Sequence, residues 1–447
     1  MPYEIYEKEL IQFLLSASNG QIQKVVEDIH PADILDAIHL YEGDRLQLFQ
    51  KLPESTIAAV IDFAEDEEKY ELLSIFPDYK QKKIVDEMSS DELVDLLGSI
   101  AKEDADRIIT NLDFEDAEEV KELLTYPADT AGGIMATEFI AIKDSMTVGE
   151  TLKYLQHEAP DAETAYYIYV LDDQDILKGV VSLRDMVISS FEVKISDITN
   201  EKVISVPVDM DQEEVGHIFE KYGFLTVPVV DSQDVMLGII TVDDIMEILR
   251  DESTEDLYRL AGLQESEKVA GSVKESVKSR LPWLFVNLLT AILAAATVSL
   301  FEGTISRVVA LATFMPIVAG MGGNAGTQTL TLVVRGIALS ELTFDNAKKV
   351  LLKEFRVGLS NGLAVGLVVA ALGYLWEKKP IFGLVIGLAM FLNLVVATIA
   401  GFLVPITLKK LKVDPALASA IFVTTVTDVL GFFFFLGLAT VFIAYLL

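Results

Sequence analysis

The sequence predicts a multidomain membrane protein: an all-α superhelical N-terminal domain, a duplicated α+β domain, and a polytopic α-helical membrane domain with five spans. Three observations carry this. Across residues 1–130, apolar segments restart about every 12 residues, the signature of a short helical repeat. Residues 136–250 contain one pattern twice. Five apolar runs fill residues 281–447, and about 20 apolar residues suffice to cross a bilayer.

Charge divides the 447-residue chain sharply. Only seven of its 69 acids lie from Leu281 onward, against eleven of its 35 bases, so residues 1–280 hold 62 acids and 24 bases, a net charge of −38. Such a surface repels nucleic acid, which excludes that partner class. It also repels itself, and bound cations relieve that repulsion. With no cysteine, the chain has no disulfide and no thiolate metal site. The N-terminus is polar and acidic, so no cleavable signal is expected before the soluble part. An enzyme is not expected either. The four histidines, His30, His39, His157 and His217, all precede the apolar part, and neither a Gly-Lys-Ser/Thr phosphate loop nor a nucleophile elbow occurs.

In residues 1–130, helical segments are expected to begin near Pro31, Gly43, Pro53, Glu65, Pro77, Ser89, Ala101 and Asp113. Most open with Pro, Ser or an acid, as helix N-termini do, and continue with apolar residues at helical spacing. Helices this short cannot bury a core singly, so they should stack as a superhelix; an irregular bundle is the alternative. Asp129-Thr130-Ala131-Gly132-Gly133-Ile134-Met135 is expected to make a tight connection into a second module over residues 131–250.

Within that module, Leu177-Lys-Gly-Val-Val-Ser-Leu-Arg-Asp-Met matches Met236-Leu-Gly-Ile-Ile-Thr-Val-Asp-Asp-Ile, and Met146-Thr-Val-Gly matches Met210-Asp-Gln-Glu. The first copy is longer, with the extra residues expected around Ala159 to Thr164. Short buried strands are expected at Tyr167–Leu171, Val180–Ser182, Thr226–Val230 and Ile239–Thr241. The Gly-apolar-apolar-Ser/Thr step before a helix that opens in Asp resembles a tandem pair of CBS domains. That resemblance implies ligand sensing, with ATP as a candidate regulatory ligand between the copies. At the family's positions Tyr167 and Phe224 would stack a base, Arg184 would meet phosphate and Asp185 a ribose hydroxyl. Core packing of both aromatics is the alternative.

The next segment, Asp243 to Gly262, is acidic and helical, with Asp244, Glu247, Asp251 and Glu255 along one face. A solvated face is one account; Mg²⁺ held through carboxylates and waters is the other. Residues 257–280 are expected to continue as a polar helix, so that residues 251–280 form a connecting, plug-like helix.

Spans are expected at about 282–301, 308–334, 357–376, 381–408 and 415–447. Lys274, Lys278, Arg280, Arg335, Lys348, Lys349, Lys353, Arg356, Lys409, Lys410 and Lys412 all fall on one side; Arg307, Lys378 and Lys379 fall on the other. The positive-inside bias places the N-terminal domains in the cytoplasm and the C-terminus outside the cell membrane. In the second span, Pro316 and the glycines at 320, 322, 323 and 326 are expected to break the helix and turn carbonyls, Asn324 and Gln328 toward a cavity. Close packing through small residues is the alternative. The last span carries a single charge, Asp428, with Thr424, Thr425 and Thr427 within a turn of it. A carboxylate at the bilayer centre costs about 2.5–3.5 kcal/mol and points to a functional group.

The whole order resembles the MgtE family of magnesium channels and transporters. Its most specific marks are Gly322-Gly323-Asn324-Ala325-Gly326-Thr327-Gln328 and Pro415-Ala416-Leu417-Ala418-Ser419 leading through Thr424-Thr425 to Asp428. The resemblance implies a homodimer in membrane lipid whose second and fifth spans line one Mg²⁺ path. Asp428, Asn324, Thr424, Thr425 and carbonyls near Gly320 and Met321 would meet the ion, and Leu417 is the candidate gate. It further implies closure by cytosolic Mg²⁺ on regulatory carboxylates: Asp211, Glu213, Asp244, Glu247, Glu252, Glu255, Asp256 and, at the membrane face, Asp414. The runner-up is a secondary carrier for a divalent cation coupled to Na⁺ or H⁺, since broken helices and a midplane acid suit carriers too. A chloride channel fits poorly, because the CBS-like pair precedes the spans and five spans are too few.

Overall fold

The computed structural model describes residues 2–158, 166–264, 267, 269, 271–417 and 419–447. The chain forms two compact units, Met1–Leu249 and Arg250–Leu447. The extra residues expected around Ala159 to Thr164 lie outside the described residues.

Helices α1 (Pro2–Ser16) to α10 (Phe114–Leu123) open the first unit. Their starts follow local chemistry closely. Pro53, Glu65, Pro77, Ser89, Ala101 and Asp113 each occupy the N-cap position of a helix, and Pro31 is the first residue of α3 (Pro31–Leu40). Proline suits a helix start because its φ is already fixed and no intrahelical bond needs its missing N–H there. Only the segment expected from Gly43 starts later, as α4 (Leu46–Phe49). Alternate helices pack: α1 on α3, α3 on α5 (Glu54–Asp62), α5 on α7 (Asp78–Val85), and α6 (Asp66–Ser74) on α8 (Ser90–Ser99). Their inner faces share one core in which Leu14, Ile34, Ile38, Phe49, Ile57, Leu72 and Leu96 are fully buried. Each such side chain contributes roughly 1.5–3 kcal/mol on leaving water.

Two like-built sheets follow. Strands β1 (Ala141–Lys143), β2 (Tyr167–Leu171) and β3 (Leu177–Ser182) lie in the order β1-β2-β3, the first pair parallel and the second antiparallel. The second sheet repeats this with β4 (Val206–Pro207), β5 (Thr226–Val230) and β6 (Met236–Thr241). The two hairpins bond reciprocally: Leu177 N–H donates to Asp234 O at 3.0 Å and Met236 N–H to Asp175 O at 3.1 Å. Asp175 and Asp234 take φ values of 57° and 61° at these matching turns. This exchange carries β3 and β6 three residues further toward the N-terminus than expected. Tyr169, 2% exposed, closes the joint by bonding its hydroxyl to Thr226 Oγ1 at 2.9 Å. The glycine connector is bonded to the second copy, Ala131 N–H to Met210 O at 2.7 Å and Gly132 N–H to Val208 O at 2.9 Å.

Helix α15 (Val242–Leu260) leaves the second sheet. The continuous polar helix expected over 257–280 does not form. Gly262 turns left-handed with φ 73°, and α16 (Val273–Ser299) starts afresh behind a capping box of Ser272 and Glu275. Glycine just past a helix end and a Ser-x-x-Glu before the next are stop and start signals.

The second unit continues with α17 (Glu302–Arg307), α18 (Ala310–Ala338), α19 (Ala347–Glu377), α20 (Pro380–Lys410), α21 (Ser419–Val441) and α22 (Ile443–Leu446). Among the described residues, α16, α19, α20 and the Ala420–Val441 part of α21 are long and apolar enough to cross a membrane. Helix α18 has the length, 29 residues, but is too polar to join them by composition. It also runs unbroken through Pro316 and the glycine cluster. The helix break expected there is therefore absent, and the carbonyls of Gly320 and Met321 lie within helical turns. Packing supplies the reason. Glycine costs about 1 kcal/mol against alanine in a helix, but small residues let neighbouring helices approach closely enough to offset it.

Candidate functional site

Helices α18, α20 and α21 pack on one another. On α18 the glycines serve two faces. Gly322 and Gly326 are buried, and a methyl on Gly326 would come 2.5 Å from Val423 Cγ1 on α21. Gly320 and Gly323 differ: a side chain there would meet nothing within 4 Å. Gly320, Asn324, Thr327 and Gln328 are exposed, and Met321 is half-buried. So one side of α18 is built for contact, and the other presents an open polar strip.

On α21, Thr427 is fully buried and its hydroxyl donates to Thr424 O at 2.9 Å; Thr425 donates likewise to Ile421 O at 2.6 Å. Hydroxyls that bond back to their own helix need no other partner. Thr424 is exposed. Asp428, one turn on, is half-buried, and among the described residues none offers its carboxylate a hydrogen bond or ion pair. The turn before α21 is held by Asp414, whose Oδ1 accepts from Ala416 N–H at 2.7 Å while its backbone carbonyl accepts from Leu417 N–H at 3.2 Å. Leu417 is half-buried there; Ala418 and the side chain of Ser419 lie outside the described residues.

Asp414 also pairs with Arg259 of α15, and Arg259 pairs with Glu255. Beside them Leu260 packs on a cluster of Leu330, Val334, Ala416 and Val423. Asp256 has its carboxyl pushed up to about 6, first by burial and then by the charges of Asp414 and Glu252. In the first unit, Asp211 caps α14 (Gln212–Tyr222) by accepting from Glu213 N–H at 2.9 Å. Asp244 accepts from Thr241 Oγ1, and its carboxyl is pushed up to about 7, first by burial and then by Asp91 of α8. Glu247 is exposed. Among the described residues no three Asp, Glu or His side chains gather closely enough to hold a metal ion. The expected regulatory carboxylates thus fall into two sets. Asp211, Glu213, Asp244 and Glu247 lie in the first unit; Glu252, Glu255, Asp256 and Asp414 lie in the second, where Arg259 engages two of them.

Of the expected nucleotide contacts, Arg184 is exposed and Tyr167 is half-buried near Tyr169. Phe224 stacks on Tyr222 at 5.3 Å. Asp185 Oδ2 accepts from Ser182 Oγ at 2.6 Å, and Ser182 Oγ accepts from Asp185 N–H at 3.1 Å, so Asp185 helps cap α12 (Leu183–Ile188). Thr241 and Asp244 repeat the side-chain bond in the second copy.

Three family models match the chain in order. The MgtE intracellular N domain matches residues 29–129, CBS domains match 131–191 and 195–251, and MgtE, described as a divalent cation transporter, matches 315–438. The chain belongs to the MgtE family. The magnesium transporter MgtE of Thermus thermophilus is 37% identical over 437 residues, covering 96% of this chain and 97% of its own. That of Bacillus subtilis is 32% identical, with 98% of each chain covered. A crystal structure of the cytosolic domain of the Mg²⁺ channel MgtE in complex with ATP is 38% identical, with a TM-score of 0.51, over 54% of this chain and 99% of that one. As an MgtE member the chain is a transporter with regulatory CBS domains, not an enzyme.

Sequence reasoning missed two groups that the MgtE fold brings into play. Asp91 and Glu92 open α8, where they read as acids suiting a helix N-terminus; their charge beside Asp244 appears only once α8 meets the second CBS copy. Glu354 precedes the third span expected from the sequence, yet it is 3% exposed on α19, within 2.8 Å of Lys353 Nζ and accepting from Thr329 Oγ1 at 3.3 Å.

Proposed function

We propose that this chain is a Mg²⁺ channel that mediates magnesium uptake as a homodimer and is closed by cytosolic Mg²⁺. In this reading residues 1–130 form an acidic superhelical domain, 131–250 the CBS pair, 251–280 the connecting segment and 281–447 a five-span membrane domain. Helix α18 is then the span that composition alone underrates. The basic residues grouped on one side support acidic domains in the cytoplasm and a C-terminus outside.

The observation that carries the reading is Asp428. It is a lone, half-buried carboxylate on an apolar helix, with no donor among the described residues. Burying such a group in a bilayer costs about 2.5–3.5 kcal/mol unless a wet cavity or a partner receives it. The polar strip of Gly320, Asn324, Thr327 and Gln328 on the adjoining α18 supports the wet cavity. Across a dimer axis two Asp428 carboxylates would attract a divalent ion. Mg²⁺ sheds water reluctantly, so side-chain oxygens of Asp428, Asn324 and Thr424 would hold it through its water shell. Weak, shared contacts of this kind allow exit as well as entry. Thr425, bonded to its own helix, is better placed to shape the path than to meet the ion, and Leu417 stands at the turn before α21 as the gate.

The scattered regulatory carboxylates support gating by assembly. A Mg²⁺ ion that bridges acids only when the cytosolic domains are compact binds that state more tightly and shifts the population toward it. Ions at Asp244 with Asp91, and near Asp256 with Asp414, would relieve the repulsion that adds to burial in raising both carboxyls. ATP is proposed as a further regulatory ligand of the CBS pair. The exposed Arg184 suits a phosphate, and Asp185 keeps one oxygen beyond its bond to Ser182.

The direct test is Mg²⁺ flux into liposomes holding the purified protein, with Mg²⁺ varied on the side of the acidic domains. Flux that falls as this Mg²⁺ rises supports the proposal. Saturable flux that requires a Na⁺ or H⁺ gradient would replace it with the carrier.

A further inference from the structure

Asn393, on α20, is 0% exposed and plays no part in the path or the sensor described above. Its Nδ2–H donates to Val318 O at 2.8 Å, and among the described residues its Oδ1 meets no donor. Leaving an amide oxygen unpaired inside an apolar bundle is costly, so the surroundings must hold the side chain there. They do so through two glycines on two different helices. A methyl on Gly322 of α18 would overlap the amide, and a methyl on Gly431 of α21 would come 2.8 Å from Nδ2 and 2.9 Å from Oδ1. Gly322 lies two residues before Asn324, and Gly431 lies one turn beyond Asp428.

We infer that Asn393 is a positioning residue for the cation path: its flat amide, wedged between Gly322 and Gly431 and bonded to Val318 O, sets the spacing of α18 and α21 and therefore of Asn324 and Asp428. The inference rests on the path proposed above. A planar amide is thin enough to fit between two glycine backbones, and its hydrogen bond fixes its orientation. A branched apolar side chain of similar volume would be thicker and would lack that bond.

The test uses the full-length protein in liposomes, with Mg²⁺ and Ca²⁺ flux measured against concentration, and Tm measured on the detergent-solubilised protein. The variants are Asn393→Ala, Gly431→Ala, and the two combined. Asn393→Ala empties the wedge, Gly431→Ala presses on it, and the double variant places a methyl in the vacated space. Each single change is expected to alter the Mg²⁺-to-Ca²⁺ flux ratio by about fivefold or more, and the double variant to recover at least half of that change, because neighbours in contact are not additive. A ratio of fluxes is not moved by a smaller amount of folded protein. Wild-type ratio and half-saturation in Asn393→Ala would overturn the inference, as would single effects that simply add in the double variant. Should Asn393→Ala fail to fold, Gly431→Ala presses the same amide from α21, and an unchanged ratio there overturns the inference equally. Asp428→Asn in the same vesicles separates the two readings. Normal flux in that variant removes the proposed path, whereas recovery in the 393/431 double variant depends on the wedge alone.

Discussion

Replacing Asp244 by Asn should abolish a pH response of the first unit. The Asp244 carboxyl is pushed from 3.8 up to about 7, by burial and then by Asp91. Each pKa unit is worth 1.36 kcal/mol, so a rise of about three units makes the ionised group oppose the fold by roughly 4 kcal/mol. The sign follows from proton binding. The folded state keeps this proton longer than the unfolded state, so stability falls as pH rises from about 4 to about 7, and the loss is complete above that. The substituted amide would keep the shape and a partner for Thr241 while carrying no charge. The assay is hydrogen exchange of the amides in α8 and at the start of α15, in full-length protein from pH 5 to 8, corrected for the intrinsic pH dependence of exchange. In Mg²⁺-free buffer the wild type should lose up to roughly a hundredfold of protection across this range, tenfold for each 1.4 kcal/mol, because about one of the three units is already lost at pH 5. Added Mg²⁺ should restore it most strongly above pH 7, where the acid is ionised and free of its proton. Asp244→Asn should stay protected throughout and respond little to Mg²⁺. Identical pH and Mg²⁺ responses in the two proteins would refute the argument that this buried carboxylate is the sensitive group.

Other outcomes can be stated briefly. Asp428→Ala should abolish Mg²⁺ flux while leaving the dimer intact by light scattering; wild-type flux would count against the site. Arg259→Gln should free Asp414 and Glu255, so protease should cut the link after Leu260 faster without Mg²⁺, and the Mg²⁺ concentration that protects it should fall. No change in either measure would show that the arginine does not compete with the ion. Gly326→Ala should lower Tm, since overpacking against Val423 costs about 1–3 kcal/mol, whereas Gly323→Ala should leave Tm within a degree or two. In the CBS pair, Asp185→Ala should cost roughly 0.5–1.5 kcal/mol through the lost bond to the capping Ser182 hydroxyl whether or not ATP binds. ATP titration by calorimetry is therefore informative with Asp185→Asn, and unchanged affinity in that variant would take Asp185 out of the nucleotide site.

How much could be read in advance depended on where each signal sits. The helix starts at Pro31, Pro53, Pro77 and Ser89 were legible because a start is decided by the residue itself and its next three neighbours. The CBS hairpins were legible because β2 with β3, and β5 with β6, are close in sequence and alternate or run apolar. Their extension to Leu177 and Met236 was not, because it comes from one copy bonding the other. The glycine cluster of α18 misled for the same reason. Locally it spells a broken helix, but Val423 and Asn393, contributed by two other helices, fill the space that Gly326 and Gly322 leave.

The order of segments, the lone acid of the last apolar helix and the excess of negative charge before the membrane part were determined by composition and near-neighbour pattern, which the linear chain displays directly. Only the tertiary structure decided which acids feel one another: Asp91 beside Asp244, Arg259 between Glu255 and Asp414. It alone also set Asn393 between two glycines. Such encounters join residues far apart along the chain, and burial then magnifies their interaction because little water remains to screen it.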